Sequence, residues 1–331
     1  MPMEGSVLAE RTRDEVFEAS IRAELELIEA ALLKAAEADS DMVTEAAQHI
    51  IAAGGKRFRP LLVVLGSHIG PHADADDVVK GAVVVELTHV ASLYHDDVMD
   101  EARIRRGSAS ANSRWGNTVA ILVGDLLFAR ASDIVCDLGP EFVRLQARTF
   151  SRLVQGQIAE TVGPNGVDPL DHYLRVVADK TGSLISTSAL FGSKISGATR
   201  HLQRVMANFG EQIGVVFQLS DDIIDITSDE TGKTPGTDLR EGIPTLPTLL
   251  ARKSDDPADA RLLQLLDSDL HEEAALHEVL DLLRHHRCID QAREEVRRRA
   301  QAARALLEPL PVGPARDTLD DLCTTVVTRT A

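Results

Sequence analysis

The chain has 331 residues, 44% of them hydrophobic but only 3% aromatic, so a large core is available and it is built mainly from Ala, Val, Leu and Ile. Few runs alternate as strands do and good helix formers dominate, which predicts an all-α protein. Its 35 lysines and arginines face 52 acids, a net charge of −17, which opposes general binding to nucleic acid or to an anionic membrane.

The first predicted helix covers about 14–37, with Val16, Ile21, Leu25, Ile28 and Leu32 near helical spacing. A short helix ends at Gly54-Gly55, and Lys56-Arg57-Phe58-Arg59-Pro60 opens the next. A long apolar helix over about 76–100 ends in Asp96-Asp97-Val98-Met99-Asp100. A polar connection over 101–116 follows, and then helices near 117–137, 140–160 and 170–195. Another long helix, about 201–228, carries Asp221-Asp222-Ile223-Ile224-Asp225. A loop from Asp229 to about Pro244 leads into helical sequence with short breaks over 245–329. No linker of disorder-like composition and no fixed-period repeat interrupts this pattern, so 1–331 reads as a single domain. No apolar run reaches membrane-spanning length. The opening Met1-Pro2-Met3-Glu4-Gly5 lacks a basic-then-apolar pattern, and Cys136, Cys288 and Cys323 have no metal-ligand spacing. The expectation is a reduced, cytoplasmic setting.

The two Asp-Asp-x-x-Asp strings carry the chemistry. Clustered carboxylates at the end of an apolar helix are costly unless a cation neutralises them. Carboxylates in small number suit Mg²⁺, which commonly fills its shell with substrate phosphates. On a helix, positions i and i+4 share a face, so Asp96 pairs with Asp100 and Asp221 with Asp225 as metal ligands, with Asp97 and Asp222 beside them. The competing reading is a solvated helix end, and it is weakened because both strings follow long apolar runs. A third copy, Asp255-Asp256-Pro257-Ala258-Asp259, has a proline inside it and no apolar run before it; it reads as a helix cap. Basic runs flank the first string: Lys56, Arg57 and Arg59 before it, and Arg103, Arg105 and Arg106 after it. Guanidinium forks match phosphate oxygens. In so acidic a chain the combination points to a diphosphate site.

With these motifs in order, the chain resembles the trans-isoprenyl diphosphate synthases of the polyprenyl synthetase family over nearly its full length. The matches are Gly-Gly-Lys-Arg-Phe-Arg-Pro at 54–60, His-Asp-Asp-Val-Met-Asp with Arg-Arg-Gly at 95–107, Lys180-Thr181-Gly182, Phe217-Gln218-Leu219-Ser220 with the second string, and Gly232-Lys233 with Gly236-Thr237-Asp238. The resemblance implies a large single-domain helical bundle of the isoprenoid synthase type. It also implies a central cavity between the aspartate clusters, and normally a homodimer. It implies Mg²⁺-assisted head-to-tail condensation of isopentenyl diphosphate with an allylic diphosphate, followed by proton elimination. Asp96, Asp97, Asp100, Asp221, Asp222, Asp225 and Lys180 are then catalytic. Lys56, Arg59, His89 and Arg106 resemble the isopentenyl diphosphate pocket. Arg105, Lys180, Thr181, Gln218 and Lys233 resemble contacts to the allylic diphosphate or its metals. Many members have lysine where this chain has Ile243, a loss that implies weaker diphosphate binding unless Arg240 compensates, with Lys233 and Asp238 retained.

In this family the product tail grows past the residues before the first aspartates. Thr88, Ala91 and Ser92 are all small and lie one or two turns below Asp96, at about 5.4 Å per turn. They imply an open tunnel and a long trans product, about seven to ten isoprene units, with transient membrane contact on release. The alternative is that small residues merely let helices pack, with Leu87, Phe128 or Leu153 closing the tunnel as in a short-chain farnesyl or geranylgeranyl diphosphate synthase. A non-catalytic partner subunit is disfavoured because both strings are intact. A terpene cyclase need not keep the Gly-Gly-Lys-Arg segment.

Overall fold

The computed structural model describes residues 3–227 and 235–330, with side chains from Glu15 onward. Gly232 and Lys233 therefore lie outside the described residues. Every long described element is helical, as the composition predicts, and the one sheet among the described residues is an antiparallel hairpin of two-residue strands.

The helices α1 (Met3–Ala35), α2 (Asp41–Ala52) and α3 (Phe58–Ser67) are followed by α4 (Ala75–Met99). Asp74 caps α4 by accepting from the amides of Asp76 at 2.9 Å and Asp77 at 3.2 Å, satisfying two donors that a helix start leaves open. The predicted polar connection holds more order than expected: strands β1 (Ile104–Arg105) and β2 (Ser108–Ala109), then α5 (Ala111–Trp115). Next come α6 (Asn117–Asp137), α7 (Pro140–Val162) and α8 (Pro169–Val177). A π-helical turn, Ala178–Gly182, joins α8 to α9 (Ser183–Ile195), so the helix predicted near 170–195 is continuous but carries a bulge. α10 (Arg200–Thr227) holds the second aspartate string. The chain ends with α11 (Thr237–Arg240), α12 (Leu246–Ala251), α13 (Ala260–Leu266), α14 (Glu273–His285), α15 (Arg287–Ala305) and α16 (Pro314–Thr328).

The contacts divide the chain into two compact units. One comprises Met1–Phe150, Leu184–Gly210 and Leu307–Asp320, and the other Ser151–Ser183, Glu211–Leu306 and Asp321–Ala331. In the first unit α4 packs along α6, α3 and α1, and for that reason it is apolar nearly all round. Val78, Val84, Leu87, Val90 and Tyr94 are all buried along it, and each such aliphatic side chain contributes about 1.5–3 kcal/mol on burial. The Tyr94 hydroxyl donates to the Ala46 carbonyl and accepts from the Ile50 amide at 3.4 Å, tying α4 to α2. In the second unit α12 packs on α15, α14 and α8. Leu262, Leu265, Leu276, Val279, Leu283 and Ile289 fill its core together with Ile226 of α10.

Candidate active site

In the first unit, the turn before α3 and the hairpin after α4 bring arginines to one place. Arg57 is not available to a ligand. Its Nε and Nη2 hold Glu29 at 2.5 and 2.6 Å, its Nη1 reaches Glu86 at 3.1 Å, and Nη2 also donates to the Ile51 carbonyl at 2.7 Å. Arg106 is braced by main chain: its Nη1 donates to the Ile50 carbonyl at 2.8 Å and to the Gly54 carbonyl, and its Nη2 lies 4.0 Å from Glu86. Both arginines sit in the left-handed backbone region, Arg57 at φ 44° and Arg106 at φ 51°, which costs about 1–2 kcal/mol for a residue with a side chain. Arg59 is half-buried, and its Nε has no hydrogen-bond partner. Burial pushes its pKa down to about 10, with Arg106 adding to the fall and Glu86 opposing it.

His89 stands among these cations. Burial, then Arg59, Arg106, Arg105 and Arg57, hold it well below the ordinary histidine range, so at neutral pH its ring is an uncharged donor and acceptor. The structure thus brings Arg59, His89, Arg105 and Arg106 together, while Lys56 stands exposed in the turn before α3. One buried glutamate, Glu86, serves several guanidinium groups, leaving the pocket electropositive and suited to an anion. Neither Glu86 nor Glu29 is marked by any local motif.

The three aspartates of the first string do not behave alike. Asp96 is half-buried and Asp100 exposed, but Asp97 is fully buried. Its Oδ1 accepts from Arg105 Nε at 2.6 Å, its Oδ2 has no partner, and its carbonyl accepts from Asn112 Nδ2 at 3.0 Å. Burial raises its pKa against the pull of Arg105. Asp97 therefore departs from the supporting place beside the metal that its sequence position suggests: one step along a helix turns it about 100° off the Asp96–Asp100 face. Its observed role is to post Arg105.

The second unit repeats this arrangement. Asp221 and Asp225 are half-buried, whereas Asp222 is only 3% exposed. Asp222 accepts from the Tyr173 hydroxyl, from Gln218 Nε2 at 3.0 Å and from the Leu246 amide at 3.4 Å. Burial nonetheless pushes its pKa up to about 6, the hydrogen bonds from Tyr173 and Gln218 working against the rise. Like Asp97, it is held off the face that its string's first and last aspartates share. Asp225 Oδ2 accepts from the Asp238 amide at 3.3 Å, so the Gly236-Thr237-Asp238 match closes onto the string. Thr181 Oγ1 donates to Gln218 Oε1 at 3.2 Å, and Lys180 Nζ pairs with Glu160 at 2.6 Å. Both Lys180 and Thr181 lie on the π-helical turn, a device that re-aims side chains within a helix. A Cβ on Gly156 of α7 would fall 2.7 Å from the Lys180 amide nitrogen, so only glycine lets α7 run this close to the turn.

Each unit therefore carries a pair of carboxylates, neither of them fully buried, at i and i+4 of one helix end. Among the described residues no three acid, histidine or cysteine side chains form a metal cage by themselves. Two-carboxylate pairs fit Mg²⁺, a hard dication that completes its shell with water and phosphate oxygens. The third copy of the string behaves as a cap: Asp256 accepts from the Ala258 amide at 2.9 Å, and Asp259 meets Ser254 at 2.5 Å and His286 at 3.0 Å.

Below the first aspartates, Thr88 and Ser92 spend their hydroxyls on their own helix, bonding the Val84 and His89 carbonyls at 2.8 Å each. Ala91 is fully buried, and α6 runs so close that a Cβ on Gly124 would lie 3.2 Å from the Ala91 carbonyl oxygen and closer still to the His95 ring. Phe128 of α6 packs on His95 and on Phe150, with ring centroids 5.7 and 4.3 Å apart. Arg240, weighed as the replacement for a cation at Ile243, is drawn to Glu273 at 2.8 Å. Sequence reasoning missed Tyr173, Glu160 and Arg329, the last of which bonds Asp221 from 108 positions away.

Compared with known proteins, residues 40–283 match the sequence profile named Polyprenyl synthetase. The chain is 45% identical over 319 residues to nonaprenyl diphosphate synthase of Mycobacterium tuberculosis, covering 96% of this chain and 95% of that one. It is 40% identical over 287 residues to dimethylallyltranstransferase of the same organism, covering 86% of each. A solved geranylgeranyl pyrophosphate synthase of Corynebacterium glutamicum, complexed with calcium and isoprenyl diphosphate, aligns with a TM-score of 0.85 at 42% identity, covering 95% of this chain and 98% of that one.

Proposed function

This chain belongs to the polyprenyl synthetase family, and from that premise we propose that it condenses isopentenyl diphosphate with an allylic diphosphate, repeatedly, to a long-chain trans-polyprenyl diphosphate. The observation that carries the reading lies within one unit: Asp96 and Asp100 stand at the end of the helix that carries His89, and His89 lies within electrostatic reach of Arg59, Arg106 and Arg105. A site for a metal-bound diphosphate and a site for a second anion are what a two-diphosphate condensation needs.

In this reading Arg59, Arg106 and neutral His89, with Lys56 beside them, bind isopentenyl diphosphate and hold its double bond in place. Arg105, fixed by Asp97, and Lys180, Thr181, Gln218 and Lys233 orient the allylic diphosphate. Asp96, Asp100, Asp221 and Asp225 would hold Mg²⁺, which when bound stabilises the leaving diphosphate as a Lewis acid. Loss of that diphosphate gives an allylic cation, the isopentenyl double bond attacks it, and a proton leaves to the released pyrophosphate. No side-chain nucleophile is required.

The nonaprenyl synthase relative and the small residues Thr88, Ala91 and Ser92 support a long product. The tight α4–α6 approach at Ala91, the packing of Phe128 against Phe150 and the geranylgeranyl synthase relative favour a second reading, a shorter product. We further read the chain as one functional domain that works as a cytoplasmic homodimer. No described helix is long and apolar enough to cross a membrane, and transient membrane contact would serve product release. The test is purified protein with Mg²⁺, labelled isopentenyl diphosphate and farnesyl diphosphate, with product length read by chromatography. A ladder to seven or more isoprene units supports the long-chain reading. A stop at four replaces it with the geranylgeranyl type. No product with any primer overturns independent catalysis in favour of a partner subunit.

A further inference from the structure

The C-terminal turn brings a cation to the second aspartate string. Arg329 follows directly on α16, and its Nη2 donates to Asp221 Oδ1 at 2.7 Å. The guanidinium carbon lies 4.9 Å from the Phe217 ring centroid, one turn before Asp221 on α10. The segment is anchored on both sides: Ser220 Oγ donates to the Val326 carbonyl at 3.1 Å, and Arg293 Nε donates to the Thr330 carbonyl at 2.7 Å. Arg329 is thus held in one place, yet its Nη1 is buried with no acceptor.

A buried charged donor left unmade is costly, and its position says what would satisfy it. One limb of the fork is taken by Asp221, so an oxygen acceptor that met the other limb would lie within a guanidinium's width of that carboxylate, where a phosphate oxygen of a diphosphate would suit it.

We propose that Arg329 is a diphosphate-binding residue of the second aspartate string, with Nη2 kept on Asp221 and Nη1 donating to a phosphate oxygen of the metal-bound diphosphate. This rests on the prenyl-transfer reading above.

The experiment is calorimetric titration of inorganic pyrophosphate, at saturating Mg²⁺, into full-length wild type, Arg329→Gln and Arg329→Lys. Isopentenyl diphosphate without metal serves as a parallel ligand. Loss of a charge-assisted bond predicts about 10- to 100-fold weaker Mg²⁺–pyrophosphate binding in Arg329→Gln, partial recovery in Arg329→Lys, and unchanged isopentenyl diphosphate affinity. Wild-type pyrophosphate affinity in Arg329→Gln overturns the proposal and leaves prenyl transfer standing. Equal weakening toward both ligands with a lowered melting temperature makes Arg329 a structural anchor, which also overturns it. A wild type that binds no Mg²⁺–pyrophosphate removes both readings.

Discussion

Glu86 is the countercharge at the centre of the arginine cluster, and replacing it with glutamine should produce two opposed effects. The carboxylate is 2% exposed, 3.1 Å from Arg57 and 4.0 Å from Arg106. At an effective dielectric of about 20, these separations correspond to about 5 and 4 kcal/mol of gross attraction, much of it offset by the desolvation of the groups involved. Removing one partner of a buried pair costs about 3–5 kcal/mol. Here Arg57 keeps Glu29, and the new amide oxygen can still accept from Arg57, so about 2–4 kcal/mol is the expected loss. For a chain of 331 residues the unfolding entropy is about 0.7 kcal/mol/K, which converts that loss to a drop of about 3–6 °C in Tm. The second effect has the opposite sign. With Glu86 neutral, a bound diphosphate becomes the main countercharge for Arg59 and Arg106, so saturating isopentenyl diphosphate should raise the Tm of Glu86→Gln by more than it raises that of the wild type. Thermal unfolding with and without the ligand reads both effects. An unchanged Tm, or a ligand shift equal to that of the wild type, would refute the idea that one glutamate sets the charge of this pocket.

The remaining expectations concern metal, protons and chain length. Asp96→Ala and Asp221→Ala should each lower Mg²⁺-dependent turnover by about 100-fold or more with the circular dichroism spectrum intact; near-normal turnover in either would remove that residue from the metal set. His89 has a depressed pKa, so its contribution to stability is present above about 6.5 and is lost as pH falls below that value, where the unfolded state takes up a proton that the folded state resists. Tm measured from pH 8 to 5.5 should therefore fall more steeply for the wild type than for His89→Gln, and parallel curves would contradict a buried neutral imidazole. Ser92→Phe should shorten the product by putting a ring against the growing tail, whereas an unchanged product distribution in the chromatographic assay would place the tail elsewhere.

The sequence was most legible where periodicity and chemistry coincide. The bounds of α4 and α6 followed from apolar spacing, and the paired faces Asp96–Asp100 and Asp221–Asp225 followed from the helical repeat alone. The burial of Asp97 and Asp222 was implicit in that same geometry, because a residue one step from the ligand face must point into packing. What the repeat does not supply is the partners, Arg105 for Asp97 and Tyr173 for Asp222, which come from other elements. Other features have no local signature. A π-helical turn differs from an α-helix by one extra residue, and nothing in Asp179-Lys180-Thr181 declares it. Glu86 sits inside an apolar run, and its partners Arg57 and Arg106 come from segments on either side of it. Tyr173 reaches Asp222 across 49 positions, and Arg329 reaches Asp221 across 108; pairings of that span are set by tertiary packing.

The left-handed backbones of Arg57 and Arg106 constrain how this pocket can drift over generations. Glycine would relax either position and is the residue such torsions favour, yet at these two places it deletes a guanidinium: the one that ties Glu29 to Glu86, or the one that braces the Ile50 and Gly54 carbonyls. Asparagine tolerates the torsion but brings no charge. A mutation that eases the turn therefore discharges it, and one that keeps the charge keeps the strain. The two segments are held at a local optimum with no single-step neighbour that is better on both counts.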